Sequence, residues 1–559
     1  MANGKRLLIV GGVAGGASCA ARARRLDETA TIILFEKGPF VSFANCGLPY
    51  YVGQVITREE DLLVATPELF RDRFNIEVRT GSLVEGIDRQ RRTIRVCDLA
   101  SGQRYEETYD ALVLAPGSEP LRPPLPGIDL EGIFTLWTIP DTHRILDWID
   151  ARRVSKAVVV GGGFIGLEMT ENLHRLGIAA TIVEMQDQVM PALDPEMAFF
   201  VHRHLQEKGV LLELGTRVAG FCQLTGGRLG VDLADGRRLE TDLVILAAGV
   251  RPRTQLARDA GLAIGERGGI QVDPWMRTND PCIWAVGDAV QVVDHVTGLP
   301  AMVPLAGPAN RQGRVAANAI CGREGAYPAF RGVQATSVCG IMGLTVAATG
   351  ITEKALRRLD PQGARWPCEK IYIHPDHHVA YYPDAQTLTV KLIFEREGGR
   401  VLGAQALGRE GVEKRIDVIA THIQHGATVF DLEASELCYA PQYGSAKDPV
   451  NLAGMVAANL LRGDTPTVHW EDLANSEALI LDVRTEEEFA GGRVPGAINI
   501  PVDELRRRLA ELPRDRPIWV HCYVGQRSYV AVRMLVQHGF NAFNISGGYR
   551  MYEATRKEA

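Results

Sequence analysis

The chain contains one nucleotide-binding pattern twice, and this repeat constrains its fold more than any other feature. In each copy an apolar run leads into a glycine-rich turn, a helical stretch and a second apolar run that ends in glutamate. Glycines let the backbone approach a pyrophosphate, and the N-terminus of the helix stabilises its negative charge. In both copies the glutamate lies a little over 20 residues after the first glycine, where it would meet a ribose hydroxyl. The repeat predicts an α/β chain that binds two dinucleotides.

The two glycine-rich turns differ in how well they fit the pattern Gly-x-Gly-x-x-Gly. The second turn fits it completely with Gly161, Gly163 and Gly166, and the strand that follows ends at Glu184. The first turn has Val13 at the middle position, and its pattern residues are Gly11, Gly12, Gly15, Gly16 and the strand-terminal Glu36. Together they predict two Rossmann-like nucleotide-binding domains.

Three more apolar runs end in a glycine turn. Residues 111–117 and 243–249 are predicted strands at which the chain leaves one nucleotide domain and later returns to it. Residues 282–288 form another predicted strand, which ends in Gly-Asp. Asp288 could accept a hydrogen bond from a ribityl hydroxyl or cap a following helix, and the sequence leaves both interpretations open.

Cys46 is the only cysteine in the segment 42–51, downstream of the first glycine turn. Its position predicts redox chemistry at a flavin. A dithiol flavin reductase would carry two cysteines a few residues apart, so a single thiolate needs a second sulfur from a bound thiol, a sulfenic acid or a persulfide. Because only the thiolate attacks sulfur, we expect positive charge or a following helix N-terminus to depress the pKa of Cys46.

Charge and cysteine content exclude several classes of protein. The net charge of −7 gives no indication of a nucleic-acid or anionic-membrane partner. The ten cysteines have neither the spacing of a disulfide framework nor that of metal ligands, which favours a reducing compartment. The N-terminal apolar run is too short for a signal peptide, and no stretch reaches the roughly 20 apolar residues that span a bilayer. We therefore expect a cytoplasmic protein, with no membrane association and no bound metal.

Two different patterns of predicted strands and helices follow one another in the C-terminal part of the chain. Residues 326–460 alternate strands and helices, with strands predicted over 388–394 and 401–405 and a helix over 414–426. His374, His377 and His378 share a short predicted loop without ligand partners, so we interpret them as surface histidines. A linker at 461–466 precedes a new α/β pattern, which predicts a separate domain over 467–559.

These motifs resemble two known families. Residues 1–455 resemble the pyridine nucleotide-disulfide oxidoreductases, and Ser42-Phe-x-x-Cys46 is similar to the motif of the single-cysteine coenzyme A disulfide reductases. Residues 467–559 resemble a rhodanese domain through the segments 481–484, 496–501 and 522–527. The order of the two parts resembles coenzyme A disulfide reductase–rhodanese fusions, some of which are NADH-dependent persulfide reductases.

The resemblance implies a domain plan. It comprises a discontinuous FAD-binding domain (1–118 and 250–325), an NAD(H)-binding domain (119–249), an α+β dimerisation domain (326–460), a linker (461–466) and an α/β rhodanese domain (467–559). FAD would lie along the first glycine turn, with Glu36 at its ribose and Asp288 near its ribityl chain. NADH would bind the second turn, with Phe164 gating the nicotinamide. Glu184 favours NADH over NADPH because a carboxylate repels a 2′-phosphate.

Coenzyme A is the third cofactor that the resemblance implies. It would form a mixed disulfide with Cys46, and its other contacts are implied at Ser18, Arg22, Arg25, Ser42, Asn45, Asn310 and Lys447. Arg22 and Arg25 share a helix face and could hold phosphates, although a solvated basic face is the alternative. Phe74 and Asn310 stand where some relatives carry a lysine and a coenzyme-contacting histidine, so the phosphates would be held less tightly or differently.

The resemblance also implies a homodimer. Tyr439 and Lys447 match a segment that the partner subunit delivers, in which a tyrosine hydroxyl approaches the reacting sulfur and a basic residue contacts coenzyme A. Tyr381 or Tyr382 could supply a second hydroxyl, and ordinary interface packing is the alternative for these two. A tyrosine in this place could donate a proton to a leaving thiolate.

The second candidate sulfur site is the loop from Cys522 to Arg527. Backbone N–H groups of such a loop point inward and stabilise a sulfur anion, so Cys522 could carry sulfane sulfur as a persulfide while Arg527 buttresses the loop. Asp482 and Arg484 are expected to form an ion pair beneath it. The simplest account of the fusion is that Cys522 delivers sulfane sulfur to the flavin site.

Three functions fit this sequence. The first is an FAD- and coenzyme A-dependent reductase that uses NADH to reduce a persulfide, a polysulfide or coenzyme A disulfide at Cys46. The second is an NADH oxidase or peroxidase with a Cys46 sulfenic acid, against which Ala14 counts because such relatives often carry histidine there. The third is a rhodanese sulfur carrier in which the reductase activity is vestigial.

Overall fold

The computed structural model describes residues 4–555, apart from the side chains of residues 474 and 475. The chain divides into two compact units. One holds the chain up to Val189 together with Gly209–Val333, and the other holds Met190–Lys208 together with the chain from Gln334 onward. Within the described residues, no helix combines the length and apolarity needed to cross a membrane.

The N-terminal third of the first unit is built on a parallel sheet. Its elements are β1 (Arg6–Val10), α1 (Gly15–Leu26), β2 (Thr31–Phe35), α2 (Leu48–Val52), α3 (Pro67–Phe74), β3 (Glu77–Arg79), β4 (Ser82–Asp88), β5 (Thr93–Asp98), β6 (Arg104–Thr108), β7 (Ala111–Leu114) and β8 (Ser118–Pro120). Strand β1 pairs in parallel with β2 and β7, and β2 with β3. The buried apolar run in β1 is typical of a parallel sheet that is covered on both faces. Strands β4, β5 and β6 form a separate antiparallel sheet.

The second parallel sheet repeats this arrangement. The elements are β9 (Ile133–Phe134), α4 (Ile139–Arg152), β10 (Lys156–Val160), α5 (Phe164–Arg175), β11 (Ala179–Val183), α6 (Pro195–Glu207), β12 (Leu211–Glu213), β13 (Val218–Gln223), β14 (Leu229–Leu233), β15 (Arg238–Thr241), β16 (Leu243–Leu246) and β17 (Val250–Pro252). The order of the parallel sheet is β12–β11–β10–β16–β9. Strand β17 pairs antiparallel with β8, so the two predicted crossings of the chain lie side by side. Helix α6 belongs to the second unit.

The chain then returns to the first sheet. The elements are α7 (Gln255–Asp259), β18 (Ile270–Gln271), β19 (Ile283–Ala285), β20 (Val290–Val293), β21 (Pro300–Ala301) and α8 (Ala306–Ile320). Strand β19 pairs with β7 and completes the order β19–β7–β1–β2–β3. Helix α8 packs on α1 so closely that a Cβ on Gly313 would lie 2.3 Å from the carbonyl oxygen of Gly15.

An antiparallel sheet forms the core of the second unit. The elements are β22 (Ser337–Ile341), β23 (Leu344–Gly350), α9 (Glu353–Leu359), β24 (Cys368–Ile373), β25 (Thr389–Glu395), β26 (Val401–Gly408), α10 (Val412–Gln424), α11 (Val429–Ala434) and α12 (Pro449–Leu461). The sheet order is β22–β23–β26–β25–β24. Strands β25 and β26 and helix α10 lie within a few residues of their predicted places.

A parallel sheet with flanking helices follows in the same unit. The elements are β27 (Thr467–Val468), β28 (Leu479–Asp482), α13 (Glu486–Gly491), β29 (Ile498–Asn499), α14 (Val502–Leu505), β30 (Ile518–His521), α15 (Gln526–Gln537), β31 (Ala542–Ile545) and α16 (Gly548–Thr555). All neighbours in the order β27–β31–β30–β28–β29 are parallel. The predicted fold class, with two Rossmann-like sheets, an α+β domain and a C-terminal α/β domain, is confirmed. The residue boundaries of the four domains stay a prediction.

A buried lysine ties helix α6 to the antiparallel sheet. The Lys391 ammonium on β25 donates to carboxylate oxygens of Asp194 at 2.8 Å, Glu196 at 2.6 Å and Glu353 at 2.6 Å. These three carboxylates offer oxygens within 4.8 Å of one another, a spacing that could hold a metal ion. The lysine bonded to all three makes the group an ion-pair network that anchors α6.

Candidate active site

The first glycine turn has the geometry of a dinucleotide cradle. Gly11 has φ +97°, and a Cβ there would lie 2.0 Å from the carbonyl oxygen of Ala115. A Cβ on Gly16 would lie 1.9 Å from the carbonyl oxygen of Gly11. Only glycine fits these positions, and the turn leads directly into α1, whose N-terminus favours a phosphate. The residues present therefore fit a bound dinucleotide.

Glu36 closes this cradle at the end of β2. Its carboxylate accepts hydrogen bonds from the backbone N–H groups of Gly12 and Gly38, both at 2.8 Å. These bonds fix the carboxylate beside the glycine turn, where an acidic residue meets a ribose.

The second glycine turn repeats the cradle with one informative difference. Gly161 has φ +112°, and a Cβ there would lie 2.3 Å from the carbonyl oxygen of Ala247. A Cβ on Gly163 would meet open space, which leaves the backbone free to approach a pyrophosphate. Gly166 packs against Gly161, and Phe164 is the first residue of α5.

Glu184 occupies the same place in the second turn that Glu36 has in the first. Its carboxylate accepts hydrogen bonds from the backbone N–H of Gly162 at 2.7 Å and of Gln186 at 2.8 Å. The equivalence of the two acids comes from the same strand-turn-helix geometry. Both turns thus fit the dinucleotides that the sequence predicts.

Asp288 follows β19 and is held by Ser118. The Ser118 hydroxyl donates to Asp288 Oδ2 at 2.9 Å, and burial raises the pKa of the carboxyl above its usual value. Strand β20 comes next in the chain, so the alternative interpretation of Asp288 as the cap of a following helix is wrong.

Cys46 is exposed in a short turn that leads into α2. This segment is tied to the first cradle because the backbone N–H of Ser42 donates to the carbonyl oxygen of Gly12 at 2.8 Å. Ser42 is buried and has φ +49°, and the Asn45 amide donates to the carbonyl oxygen of Trp137 at 2.6 Å. These bonds place a solitary thiol beside the predicted flavin cradle.

The electrostatics of Cys46 differ from the sequence prediction. Desolvation by neighbouring protein atoms raises the pKa of Cys46, and the carboxylates of Glu168 and Asp288 raise it further. The prediction of a depressed pKa is therefore wrong for the chain's own side chains. A backbone hydrogen bond at Cys46 lowers the pKa of the thiol, but desolvation and the two carboxylates outweigh it.

Glu168 is a site residue that the sequence analysis missed. It lies on the first turns of α5 and accepts a hydrogen bond from the Tyr50 hydroxyl at 3.5 Å. Burial raises its pKa to about 7, so it exchanges a proton near neutral pH. In the sequence, Glu168 stands out as a single acidic residue two positions after Gly166, among apolar residues at the start of the predicted helix.

The predicted coenzyme A residues of the first unit fall on two helices. The Ser18 hydroxyl on α1 bonds the Asn310 side chain on α8. Arg22 Nε donates to Asn318 at 3.0 Å, and its guanidinium lies 5.0 Å from the ring centre of Tyr327. Arg25 is exposed, so the two arginines of the predicted pair have different surroundings.

Phe74 ends α3, where its ring centre lies 6.2 Å from that of Phe70. It packs against the core of the first domain, which gives the residue a structural role.

In the second unit, the predicted tyrosines form a pair. The hydroxyls of Tyr381 and Tyr439 are hydrogen-bonded at 2.8 Å, which raises the pKa of Tyr439. Tyr382 instead lies edge-on to His378, with ring centres 5.4 Å apart. Both Tyr381 and Tyr439 are exposed, and so is Lys447.

Arg415 holds the two segments that carry these tyrosines. Its buried guanidinium donates to the Asp448 carboxylate at 2.9 Å and to the carbonyl oxygen of His377 at 2.7 Å. Asp448 caps α12 and follows Lys447 in the chain. This buried bridge fixes both loops and was not foreseen from the sequence, because Arg415 lies in an ordinary amphipathic helix.

The second sulfur site lies where β30 ends. Cys522 is buried, and its sulfur accepts a hydrogen bond from the Gly525 backbone N–H at 3.1 Å. The Ser528 hydroxyl contributes a longer bond to the same sulfur, at 3.7 Å. The loop therefore directs donors at the sulfur, as its sequence predicts.

Two ion pairs support this loop. Arg527 forms a bidentate pair with Glu488, with N–O distances of 2.6 and 2.7 Å. The predicted pair between Asp482 and Arg484 is present and buried, with a shortest distance of 2.6 Å.

The histidines near β24 differ from their predicted exposure. His374 and His378 are buried, so their interpretation as surface histidines is wrong. His374 directly follows β24 and is hydrogen-bonded to Thr389 and Gly547, partners distant in the sequence.

Comparison with known proteins agrees with this architecture. Residues 5–313 match the family described as pyridine nucleotide-disulphide oxidoreductase, 336–448 its dimerisation domain, and 465–555 a rhodanese-like domain. The chain is 32% identical over 456 residues to a coenzyme A disulfide reductase of Staphylococcus haemolyticus (strain JCSC1435), covering 82% of this chain and 100% of that protein.

Two solved structures extend the similarity to the whole chain. Reduced Bacillus anthracis CoADR-RHD is 46% identical with a TM-score of 0.95, covering 99% of this chain and 98% of that one. An NAD-dependent persulfide reductase from A. fulgidus is 38% identical with a TM-score of 0.90, covering 98% and 100%. The family resemblance seen in the motifs is confirmed. The chain belongs to the pyridine nucleotide-disulphide oxidoreductase family and is an oxidoreductase with a C-terminal rhodanese-like domain.

Proposed function

We propose that this protein is an FAD- and coenzyme A-dependent reductase that uses NADH to reduce persulfides, polysulfides or coenzyme A disulfide. The observation that carries the proposal is the solitary, exposed Cys46 on a segment hydrogen-bonded to the first dinucleotide cradle. A thiol in that place has no protein partner for a disulfide within its segment, so its second sulfur comes from a small molecule.

The family implies FAD and NAD(H), and two cradles are present to hold them. The first, with Gly11, Glu36 and Asp288, would hold FAD, and the second, with Gly163 and Glu184, would hold NADH. FAD, when bound, supplies the passage of an electron pair from NADH to a disulfide that includes the Cys46 sulfur. Glu184 supports NADH as the donor, because its carboxylate would repel the 2′-phosphate of NADPH.

The name of the Staphylococcus relative supports coenzyme A as the thiol that pairs with Cys46. The adjoining Ser18 and Asn310 side chains, with Arg22 beside them, supply polar groups for it on α1 and α8. Ser42, Asn45 and exposed Arg25 complete the proposed set in the first unit. Lys447 would come from the partner subunit of a homodimer, which a matching dimerisation domain supports.

Two side chains of this protein could donate or accept protons in the reaction. Glu168 has a pKa of about 7 and acts electrostatically on Cys46, so it can take up or release a proton as the thiolate forms. Tyr439, bonded to Tyr381, is the proposed donor to a leaving sulfur. For a persulfide the overall reaction is NADH + H⁺ + RSSH giving NAD⁺ + RSH + H₂S. Cleavage of the S–S bond by the electron pair leaves RS⁻ and HS⁻, and each takes up one proton from such donors.

Cys522 supports a sulfane-sulfur substrate over a simple disulfide. A buried sulfur that accepts backbone N–H bonds can be stabilised as an anion and carry a second sulfur. The similarity to the NAD-dependent persulfide reductase from A. fulgidus points in the same direction. In this proposal Cys522 collects sulfane sulfur and delivers it for reduction at Cys46.

The test is anaerobic NADH oxidation with coenzyme A persulfide, inorganic polysulfide and coenzyme A disulfide, using the full-length protein and its Cys522→Ser variant. We expect persulfide or polysulfide turnover well above disulfide turnover, with one sulfide released per NADH. Turnover confined to the disulfide would make the protein a thiol-recycling enzyme. Turnover that begins only when oxygen is admitted would replace the proposal with an NADH oxidase, and no turnover with any acceptor would leave a sulfur carrier.

A further inference from the structure

A short turn at residues 546–548 lies directly behind the Cys522 loop. After this turn, the backbone N–H groups of Tyr549 and Arg550 donate to the carbonyl oxygens of Cys522 at 2.7 Å and Tyr523 at 3.0 Å. In a trans peptide the N–H points away from the C=O. By fixing these two carbonyls, the turn also fixes the direction of the N–H groups that share their peptide planes. Those N–H groups belong to Tyr523 and Val524, and the Gly525 N–H that donates to Cys522 Sγ at 3.1 Å follows in the next peptide.

The turn has no free space on either side. Gly547 and Gly548 have φ +74° and +61°, which glycine adopts without strain. A Cβ on Gly548 would lie 2.6 Å from the carbonyl oxygen of Cys522, and a Cβ on Gly547 would lie 2.9 Å from the Cβ of Tyr372. The turn is therefore packed between the side chains of Tyr372 and Met551 and the backbone of the Cys522 loop.

Tyr372 and His374 do not belong to the rhodanese-like domain. They come from the end of β24, in the antiparallel sheet of the dimerisation domain. The Tyr372 backbone N–H donates to Ser546 Oγ at 3.0 Å, and His374 Nε2 lies 3.1 Å from the carbonyl oxygen of Gly547. Two hydrogen bonds from outside the domain thus hold the turn.

The state of His374 follows from its partners. A carbonyl oxygen only accepts, so Nε2 carries the proton and donates it to Gly547. Burial, reinforced by the charge of Arg550, lowers the pKa of His374 to about 3, so the ring is neutral at physiological pH. Nδ1 is then bare and accepts from the Thr389 hydroxyl at 3.0 Å. Thr389 on β25 therefore fixes the ring in the orientation that serves Gly547.

We propose that His374 is a positioning residue for the Cys522 site: it holds the 546–548 turn, and with it the backbone of Cys522 and Tyr523, so that the Gly525 N–H stays directed at the sulfur. The Cys522 site is then composite, because the dimerisation domain completes it. This inference rests on the proposed role of Cys522 as an anionic sulfur carrier. It assigns a task to a buried histidine that the reductase chemistry at Cys46 does not use.

The test compares His374→Phe with His374→Gln in the full-length, FAD-loaded protein. Phenylalanine fills the space without a donor, whereas the glutamine amide retains an N–H for Gly547. The readout is the rate at which iodoacetamide alkylates the peptide that contains Cys522, followed by mass spectrometry between pH 6 and pH 9.5. NADH-dependent turnover of coenzyme A disulfide in the same preparations reports whether the rest of the protein is intact.

We expect the alkylation profile of His374→Phe to move upward by about one pH unit, which is about a tenfold lower rate at pH 7. His374→Gln should stay within about twofold of the unchanged protein, and disulfide turnover should be retained in both. A His374→Phe profile that superimposes on that of the unchanged protein overturns the proposal. Equal losses in both variants also overturn it, because a general packing defect would then explain them.

This experiment is separate from the test of the proposed function. Alkylation of Cys522 needs neither NADH nor a sulfur acceptor. If the protein reduced no persulfide, the reductase proposal would fail while the alkylation profiles still decided the role of His374. If the profiles were unaffected while persulfide turnover was high, only the positioning proposal would fail.

Discussion

The two candidate sulfur sites, Cys46 and Cys522, differ in the exposure of the sulfur and in the groups that act on it. Cys46 is exposed on a turn, and the charges that act on it are carboxylates, which disfavour its thiolate. Cys522 is buried, and its sulfur receives hydrogen bonds from a backbone N–H and a serine hydroxyl. The difference suggests a division of labour. An exposed thiol beside a flavin cradle suits electron transfer to an incoming disulfide, whereas an enclosed loop suits the carriage of a sulfur anion.

The largest expected effect comes from substituting each of the two cysteines in turn and comparing the activities of the two variants. Cys46→Ser removes the group that meets the electron pair, so we expect NADH-driven reduction of every sulfur substrate to fall by at least about 10³-fold. Cys522→Ser should leave coenzyme A disulfide turnover within about twofold and lower polysulfide turnover. Steady-state NADH oxidation under argon measures both.

Cys438→Ser is the matched control, since Cys438 is the other exposed cysteine among the described residues. It should retain full turnover. Equal losses in the Cys46 and Cys522 variants with coenzyme A disulfide would contradict the division of labour.

Substitutions in the pair Tyr381 and Tyr439 are expected to have an effect of intermediate size. Tyr439→Phe removes the proposed proton donor and should lower kcat for disulfide reduction by about tenfold, with little change in KM. Tyr381→Phe removes only its hydrogen-bond partner, so we expect a smaller loss. A double-mutant cycle on kcat measures their coupling. Tyr443 is an exposed tyrosine of the same segment, so Tyr443→Phe is the control. Additive losses of kcat in the cycle would argue that the hydrogen bond between Tyr381 and Tyr439 has no catalytic role.

Glu168 should lower the reactivity of the Cys46 thiol by a factor smaller than the effect expected for Tyr439→Phe. Its pKa of about 7 means that it is largely neutral below pH 7 and charged above it. The charged carboxylate disfavours the Cys46 thiolate, so alkylation of Cys46 should rise less steeply above pH 7 than that of a simple thiol. Glu168→Gln should remove this bend and speed alkylation at pH 8 by about threefold.

The exposed Glu60 provides the comparison for Glu168. Glu60→Gln should leave the pH profile of Cys46 alkylation unchanged, because it does not act on that thiol. Identical profiles for the Glu168→Gln variant and the unchanged protein would show that the two groups titrate independently.

The ion-pair network predicts an effect on stability rather than on either thiol. Lys391→Met leaves the buried carboxylates of Asp194 and Glu353 and the half-buried Glu196 without their shared cation and should lower the free energy of unfolding by about 3–5 kcal/mol. Lys208→Met, at the exposed end of α6, should change it by less than about 0.5 kcal/mol. Urea unfolding followed by tryptophan fluorescence compares the two. A small loss in Lys391→Met would mean that the carboxylates protonate without disturbing the fold.

The same network has a defined pH dependence. Burial opposes the charge of Glu353, but Lys391 and Lys370 outweigh it and lower the pKa of Glu353 to about 2. A carboxyl with a depressed folded-state pKa contributes stability above its unfolded value, which is about 4.3, and that contribution is lost as the pH falls towards 2. Acid titration of the unfolding midpoint should show this loss, and it should be smaller in Lys391→Met, in which only Lys370 still lowers the pKa of Glu353.

Much of the fold and of the cofactor sites could be predicted because their signals are local. A glycine forced into a left-handed φ, a helix N-terminus and a strand-terminal acid lie within one short strand-turn-helix unit. Glu36 and Glu184 therefore appear in the structure with the same pair of backbone bonds. The same locality made the Cys522 loop and the pair of Asp482 with Arg484 recognisable.

Electrostatics and long-range packing could not be predicted in this way. The pKa of Cys46 depends on Glu168 and Asp288, which lie over one hundred residues away in sequence. His374 was misjudged because its partner, Gly547, comes from another domain, and Arg415 was missed because its bridge joins two distant loops.

The sequence by itself determined two dinucleotide cradles, a solitary cysteine beside one of them and a second cysteine at the start of an anion-binding loop. Each of these depends on short-range backbone geometry, which a few neighbouring residues dictate. Only the tertiary structure decided which charges act on each sulfur and what holds each loop in place. Desolvation, Coulombic interactions and hydrogen bonds between distant segments depend on distances that exist only after the chain has packed.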